Sequence, residues 1–204
     1  MKTLSGVGLG ILLLIQPIWV AAGTPGEQVR QSVDNLLAIL KDPQLKGESR
    51  KHERRAKLKE VIHQRFDFTE MAKRSLGYEW RRRSPEEQKG FVRLFTDLLE
   101  RAYLDQLESY SSEKIQFLKE LDGDNYADVA TKIIDNKGQE YSVNYRLHKV
   151  SEDWKVYDVV IEDISLINNY RSQFGRVLAK SSYEELVSTM KGKTLITPGT
   201  KSTF

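Results

Sequence analysis

The 204-residue sequence has no cysteine, which excludes disulfides, thiol nucleophiles and cysteine-type zinc sites. Histidine is scarce, and His52, His63 and His148 lack the spacing of a metal site. The sequence contains neither a GxSxG motif nor a glycine-rich phosphate loop. The acidic segment 122–128 lacks the glutamate that closes a calcium loop, so we interpret it as a hairpin turn. We therefore expect no catalytic residue and no metal ligand.

Charge is missing near the N-terminus. Residues 3–26 carry no charged side chain, and the apolar run Val7–Val20 lies within them. The small residues Ala21-Ala22-Gly23 follow this run. The arrangement is typical of a secretory signal peptide, so we interpret residues 1–22 as a signal peptide cleaved near Ala22. The alternative is a retained membrane anchor, because the run approaches the length of about 20 residues that a spanning helix needs.

The balance of charge argues against a nucleic-acid partner. Without residues 1–22 the chain has 31 basic and 29 acidic residues, a net charge of only +2. Basic residues nevertheless cluster in 46–59 and in 81–83. These clusters are either solvated helix surface or a docking face for an acidic partner or an anionic membrane. The candidate docking residues are Arg50, Lys51, Arg54, Arg55, Arg81 and Arg82.

The hydrophobic period changes once from helical to extended and once back. Capping signals at Thr24 and Ser84 begin two of the helices, and the latter helix is the longest. The predicted helices cover about 24–41, 48–65, 69–76, 84–110, 165–180 and 183–190, and the predicted strands cover 114–121, 126–135, 141–147 and 154–161. Short connections between the four strands favour an antiparallel meander. This order predicts an α+β fold, with one domain over 23–192 and a flexible tail over 193–204.

The helix predicted from residue 165 has a charged residue on its apolar side. Ile167, Tyr170 and Phe174 share one face of this helix, and Arg171 falls within the same arc. A buried arginine needs a partner or a route to water. It could pair with a carboxylate at 158, 162 or 163, or it could lie at the mouth of an apolar cavity and meet an anionic head group.

Two segments resemble a known family. The segment "SLGYEWRRRSPEEQKGFVRLFTDLLERAYLDQL" (75–107) and the segment "DWKVYDVVIEDISLINNYRSQFGRVL" (153–178) are similar to motifs of the MlaC family of periplasmic phospholipid-binding proteins of the toluene-tolerance type. The resemblance covers about 27–192, and the two motifs occur in the expected order. It implies a curved antiparallel four-stranded sheet, wrapped by about six helices around an apolar cavity in a nuclear-transport-factor-like shape.

The resemblance also implies a function. Members of the family hold the acyl chains of a glycerophospholipid and are not enzymes. They shuttle lipid across the periplasm between an outer-membrane lipoprotein–porin complex and an inner-membrane ABC transporter with its membrane-anchored substrate-binding subunit, and so maintain outer-membrane lipid asymmetry. We therefore expect a periplasmic monomer with phospholipid as cargo and no cofactor.

The expected lipid-contacting residues lie on the long helix, the sheet and the helix that carries Arg171. The candidates for the cavity lining are Phe91, Leu94, Phe95, Leu98, Tyr141, Val143, Tyr145, Trp154, Ile167, Tyr170 and Phe174. Arg171 is the candidate for the rim and the head group.

Two other classes of function remain open. A small-molecule enzyme of ketosteroid-isomerase-like shape would need an aspartate base deep in the cavity with a tyrosine or acid donor opposite. Asp158, flanked by Tyr157 and Tyr170, is the only candidate for that base. A membrane-anchored interaction protein would instead keep residues 1–22.

Overall fold

The computed structural model describes residues 23–110 and 113–192. The predicted signal peptide, 1–22, and the predicted tail, 193–204, lie outside the described residues. Within the described part of the chain, no helix is long and apolar enough to cross a membrane.

In the described part of the chain, six helices surround one sheet. They are α1 (Pro25–Lys41), α2 (Lys51–Arg65), α3 (Phe68–Leu76), α4 (Pro85–Ser109), α5 (Leu166–Leu178) and α6 (Tyr183–Lys191), with short 3-10 segments at Pro43–Leu45, Glu48–Arg50 and Gly77–Arg82. Thr24 and Ser84 each accept a hydrogen bond from the backbone three residues later, and the glutamate at that position completes the capping box. The capping signals in the sequence therefore predicted the starts of α1 and α4 correctly.

The sheet is an antiparallel meander of five strands, and this α+β fold was predicted. The strands are β1 (Lys114–Asp122), β2 (Tyr126–Ile134), β3 (Glu140–Val150), β4 (Asp153–Ile161) and β5 (Ile164–Ser165), hydrogen-bonded in that order. The prediction of four strands missed β5. Glu162 and Asp163 have φ values of 47° and 62°, so they reverse the chain into a strand of two residues, too short to show a hydrophobic period.

Irregularities in the strand register bend the sheet. One interrupts β1 between Phe117 and Lys119, and another interrupts the β3–β4 pairing. In the latter, Arg146 is opposite Asp158 and Leu147 is opposite Val156, which leaves Tyr157 as the extra residue of a β-bulge. Bulges of this kind increase the local twist and redirect side chains, and they give the sheet its curvature.

Apolar side chains form two clusters. The larger one joins α3, α4, α5 and α6, and its aromatic rings meet edge to face, with 5.4 Å between the centroids of Phe95 and Tyr170. The smaller one joins α1 to the inner face of the sheet through residues such as Val29, Leu147 and Trp154. The sheet and α1 are therefore packed together at one end of the molecule, and the helices are packed together at the other.

Arg65, at the end of α2, ties the smaller cluster together. Its guanidinium donates to the Gln28 side chain, to the Ser32 hydroxyl and to the carbonyl oxygen of Trp154. The same Gln28 oxygen accepts from the Trp154 amide at 3.2 Å. One side chain therefore connects α1, α2 and β4.

We expect Arg65→Met to lower the free energy of unfolding by about 2 to 4 kcal/mol. The substitution keeps the apolar stem but leaves part-buried oxygens without their donor. Equilibrium unfolding in urea measures the effect, and Arg176→Met, at an exposed position of α5, is the matched control. Equal stability of the two variants would contradict the structural role of Arg65.

Candidate functional site

An apolar cavity of about 290 Å³ lies between the inner face of the sheet and helices α1, α2 and α4. Its main apolar lining residues are Val29, Val33, Leu36, Leu37 and Leu40 of α1, Leu99, Tyr103, Leu104 and Leu107 of α4, and Ile115, Ile133, Val143, Tyr145, Val156, Val159 and Ile161 of the sheet. Ile62, Phe66, Phe68, Met71, Tyr110 and Leu166 complete the apolar part of the wall.

Sequence periodicity explains how each element presents apolar groups to the cavity. In α1 the lining residues recur every three or four positions, which places them on one face of the helix. Leu99, Tyr103 and Leu107 recur every four positions in α4 for the same reason. Val143 and Tyr145 alternate along β3 with outward-facing neighbours. The wall therefore follows from ordinary helix and strand patterning.

The hydroxyl groups in the wall are neutral at physiological pH. Burial raises the pKa of Tyr145 to about 12, although a hydrogen bond with Thr131 partly opposes this. Burial also raises the pKa of Tyr103, which hydrogen-bonds with Tyr170. These phenols therefore present no charge to a ligand in the cavity.

One group of charges at the edge of the cavity links α2 to α4. Glu100 of α4 lies 2.6 Å from Lys59 and 2.8 Å from His63, both on α2. Partial burial acts to raise the pKa of Glu100, but hydrogen bonds from Lys59 and His63 outweigh it and hold the pKa below the ordinary value. Glu100 and Lys59 both line the cavity, so this contact lies at its border.

A second group of charges links the same two helices further along. Glu108 of α4 forms ion pairs with Arg54 at 2.7 Å and with Arg55 at 2.6 Å, and Arg55 also pairs with Asp105. The Glu108 side chain is only 10% exposed. Its burial raises the pKa, but the two arginine hydrogen bonds are stronger and lower it overall. We call these contacts, with those of Glu100, the α2–α4 ion-pair network.

The predicted lining residues are only partly in the wall. Val143 and Tyr145 line the cavity. Phe91, Leu94, Phe95, Leu98, Ile167, Tyr170 and Phe174 instead belong to or pack against the helical cluster, and Trp154 lies in the cluster beneath α1. Tyr141 does not itself line the cavity, although it pairs with the lining residue Ile133, and its hydroxyl donates to Gln139 beside the β2–β3 turn. The structure therefore places nine of the eleven outside the cavity lining.

Helix packing explains this difference. In α4, the side of Phe91 and Phe95 meets α5 and α6, and the residues that face the cavity come later, from Leu99 onwards. Helix α5 packs mainly against α3, and Leu166 at its start is its contribution to the described cavity wall. The prediction omitted α1, although its apolar stripe was visible in the sequence and was the signal that could have identified it.

The structure also shows where Arg171 and the candidate docking residues lie. Arg171 is exposed on α5, outside the cavity wall, and has no ion pair with any described residue, including those at 158, 162 and 163. Arg50, Lys51 and Arg82 pair with glutamates three residues away on the surface. Arg54 and Arg55 belong to the α2–α4 ion-pair network, and Arg81 is exposed. The candidate docking residues therefore do not form one patch of free cations.

Comparison with known proteins identifies the family of this chain. The sequence profile of the MlaC protein family matches residues 30–192. The chain belongs to the MlaC family. Among its relatives, the intermembrane phospholipid transport system binding protein MlaC of Haemophilus influenzae is 25% identical over 177 residues, covering 84% of this chain and 83% of that protein. The toluene tolerance protein ttg2D of Pseudomonas putida is 27% identical over 188 residues, covering 91% and 87%.

A solved structure resembles the MlaC-family fold described above. It is the phospholipid-binding protein of Ralstonia solanacearum in complex with a phospholipid, with a TM-score of 0.73 and 27% identity. The alignment covers 81% of this chain and 94% of that one. The likeness extends to sequence as well as shape, and the resemblance to the MlaC family seen in the two sequence motifs is confirmed.

The candidate base of the enzyme alternative lies outside the cavity of this MlaC-family chain. Asp158 accepts hydrogen bonds from Arg146, from the Ser165 hydroxyl and from the backbone amide of Ile167. It lines a different cleft, on the outer face of the sheet. An aspartate held by three donors outside the apolar cavity does not form the deep base that such an enzyme needs. Within the described residues no group of three or more His, Asp or Glu side chains could hold a metal ion.

Proposed function

We propose that this chain is a non-enzymatic carrier that binds the acyl chains of a glycerophospholipid in the apolar cavity and moves the lipid between membranes. The observation that carries the proposal is the cavity wall, to which α1, α4 and four strands contribute almost entirely apolar side chains. The phospholipid-bound relative from Ralstonia solanacearum supports the choice of cargo. The lipid is cargo, and the carrier needs no cofactor.

The physics of lipid transfer requires a cavity of this kind. Each buried methylene group is worth about 0.8 kcal/mol, so two long acyl chains amount to roughly 20 kcal/mol or more in water. Unassisted transfer of a phospholipid through water is therefore negligible. A carrier must offer an apolar wall that compares with the membrane interior, so that it can both extract and release lipid.

The size of the cavity implies a further step in loading. Its volume of about 290 Å³ lies just below the range of ~300–1,000 Å³ that is typical of pockets for drug-sized ligands. A phospholipid with two long chains is larger than such a ligand. We infer that the structure describes a closed state, and that α2 or α4 must move away from the sheet when lipid enters.

The cellular setting of the proposal comes from the family. Residues 1–22 are a signal peptide, and 23–192 form a periplasmic lipid-binding domain that acts as a monomer. This carrier exchanges lipid with an outer-membrane lipoprotein–porin complex and with an inner-membrane ABC transporter and its membrane-anchored substrate-binding subunit. Its work maintains outer-membrane lipid asymmetry and involves no nucleic acid. The names of the relatives from Haemophilus influenzae and Pseudomonas putida are consistent with this setting.

Native mass spectrometry of the chain without residues 1–22 tests the proposal. We expect a phospholipid at about one per chain, released by denaturing extraction. Protein stripped of lipid should reload from vesicles that contain labelled phospholipid. Protein that is empty on purification and stays empty after incubation would overturn the carrier function. N-terminal sequencing of exported material tests the membrane-anchored alternative, which requires residues 1–22 to remain.

A further inference from the structure

A second concave site, of about 320 Å³, lies on the outer face of the sheet. It is bounded by α3, the 3-10 segment Gly77–Arg82, α5 and strands β3 and β4. We call it the outer cleft. The β-bulge at Tyr157 separates it from the lipid cavity, because Val156 and Val159 line the cavity whereas Tyr157 and Asp158 line the outer cleft. Among the described residues, none lines both sites.

The outer cleft is strongly basic. Five cationic side chains line it against one carboxylate, that of Asp158; the cations are Lys73, Arg74, Arg81, Arg146 and Arg171. Asp158 is 3% exposed and is engaged by Ser165, Ile167 and Arg146. The lining residues have a formal charge of +4, and Glu70 and Asp128, which pair with Arg74 and Arg146 at its border, reduce this to +2. Such a concentration of one sign in a concave site attracts anions.

Three of the five cations have partners in the structure. Lys73 and Arg74 each lie 2.9 Å from Glu70, and Arg74 also stacks on the ring of Tyr157. Arg146 lies 3.2 Å from Asp158. These contacts hold the back of the cleft in place. They also show that the protein pairs its basic residues where carboxylates are near.

Arg81 and Arg171 have no such partner. Neither side chain makes a hydrogen bond or ion pair with any residue in 23–110 or 113–192. They come from different elements, the 3-10 segment and α5, yet they line the same concave site. Two unpaired guanidinium groups that line one concave site offer it several donors in the fork geometry that suits a phosphate group.

Gly77 positions one of the two groups. It follows α3 with φ of 64°, a conformation that favours glycine. A Cβ atom at this position would lie 3.1 Å from Nε of Arg171. The absence of a side chain therefore allows the Arg171 guanidinium to lie against the backbone at the start of the 3-10 segment that also carries Arg81.

We propose that the outer cleft binds a phosphate group, with Arg81 and Arg171 as its direct ligands. The phosphate could be inorganic phosphate or the head group of a lipid at a membrane surface, since the donors recognise the same chemistry. A compact anion fits a concave site of this size better than an extended acidic segment does. The site is independent of the acyl-chain cavity and assigns Arg171 a role away from the cavity mouth.

A titration of the lipid-loaded chain, residues 23–204, with inorganic phosphate tests the site by NMR. Trp80 lines the outer cleft and Trp154 lies in the cluster beneath α1, so the two indole signals serve as probe and internal reference. We expect the Trp80 signal to shift with saturation and the Trp154 signal to stay. Arg81→Gln combined with Arg171→Gln should weaken phosphate binding at least tenfold. Lys89→Gln combined with Arg93→Gln, at two exposed positions of α4 outside both sites, removes the same charge elsewhere and should change phosphate binding less than twofold.

Vesicle sedimentation identifies the source of the phosphate. If vesicles of phosphatidylglycerol retain the wild-type chain and the control but not the cleft variant, the ligand is a lipid head group. If the cleft variant loses binding of inorganic phosphate but sediments with the vesicles as the control does, the ligand is free phosphate. The proposal would be overturned if phosphate caused no saturable shift of the Trp80 signal, or if both double variants lost phosphate binding equally. It would also be overturned if an acidic peptide, but not phosphate, shifted the Trp80 signal. Lipid content by mass spectrometry should be unchanged in the cleft variant, so failure here is distinct from failure of the carrier function.

Discussion

Phospholipid binding is expected to weaken at least about 100-fold in a Leu36→Asp variant that still folds. Leu36 lies on the cavity side of α1 and is only half-buried, because it faces the cavity and not a packed core. Folding should therefore tolerate the carboxylate. Bound acyl chains would remove it from water without a partner, which costs several kcal/mol. A loss of about 2.8 kcal/mol already corresponds to 100-fold in affinity.

Displacement of a fluorescent phospholipid, together with the lipid content of purified protein, measures this effect. Leu118→Asp is the matched control, since Leu118 is 57% exposed on β1 and does not line the cavity. The control should bind lipid like the wild type. Normal lipid occupancy in folded Leu36→Asp protein would show that the acyl chains lie elsewhere. Unfolding of Leu36→Asp would turn the test to Leu40→Asp, another half-buried cavity position.

Local sequence signals were sufficient to predict the elements of the fold. The capping boxes at Thr24 and Ser84 identified two helix starts, and alternation along β3 identified a strand with one buried face. Short connections then favoured a meander, which the structure has. These features depend on neighbours within a few residues, so a single sequence carries them. The two-residue strand β5 depends instead on two left-handed residues, which gave no such signal.

The cavity could not be predicted in the same way. Part of each apolar stripe packs against another helix or strand, and the part that does not pack in this way lines the cavity. Phe95 and Tyr103 belong to the same stripe of α4, yet Phe95 is fully buried in the helical cluster and Tyr103 lines the cavity. Nothing in the sequence of α4 marks the change. Contacts between residues far apart in the sequence decide how the elements meet, such as those of Arg65 with α1 and β4.

The α2–α4 ion-pair network is the feature that we expect to control lipid exchange. The backbones of α2 and α4 make little direct contact, and the cavity extends between them and the sheet. Charged side chains therefore provide the main connection at this border, through Glu100 and Glu108. Because the cavity is small for a phospholipid, we expect these contacts to separate when lipid enters or leaves. Their strength should then contribute to the barrier.

We expect Glu100→Gln combined with Glu108→Gln to speed lipid transfer between vesicles by about tenfold. Hydrogen bonds to charged groups contribute about 1.5 to 3 kcal/mol each. If about 1.4 kcal/mol of their total belongs to the activation free energy of lipid exchange, its loss speeds exchange tenfold. Glu48→Gln combined with Glu53→Gln is the control. These glutamates form pairs with Lys51 and Arg50 that do not connect α2 to α4, and their loss should leave the rate unchanged.

The pH dependence of the wild-type rate provides a second readout. Hydrogen bonds from the basic residues of α2 lower the pKa of Glu100 and of Glu108 below the ordinary value of 4.5, despite the opposing effect of burial. Carboxylates with depressed pKa values stabilise the closed state above pH 4.5, and this stabilisation is lost as the pH falls through the lowered values. The wild-type transfer rate should therefore rise on acidification, and the rate of the double glutamine variant should respond much less. A double variant as slow as the wild type at neutral pH, or one that keeps the full pH response, would show that another part of the cavity border limits exchange.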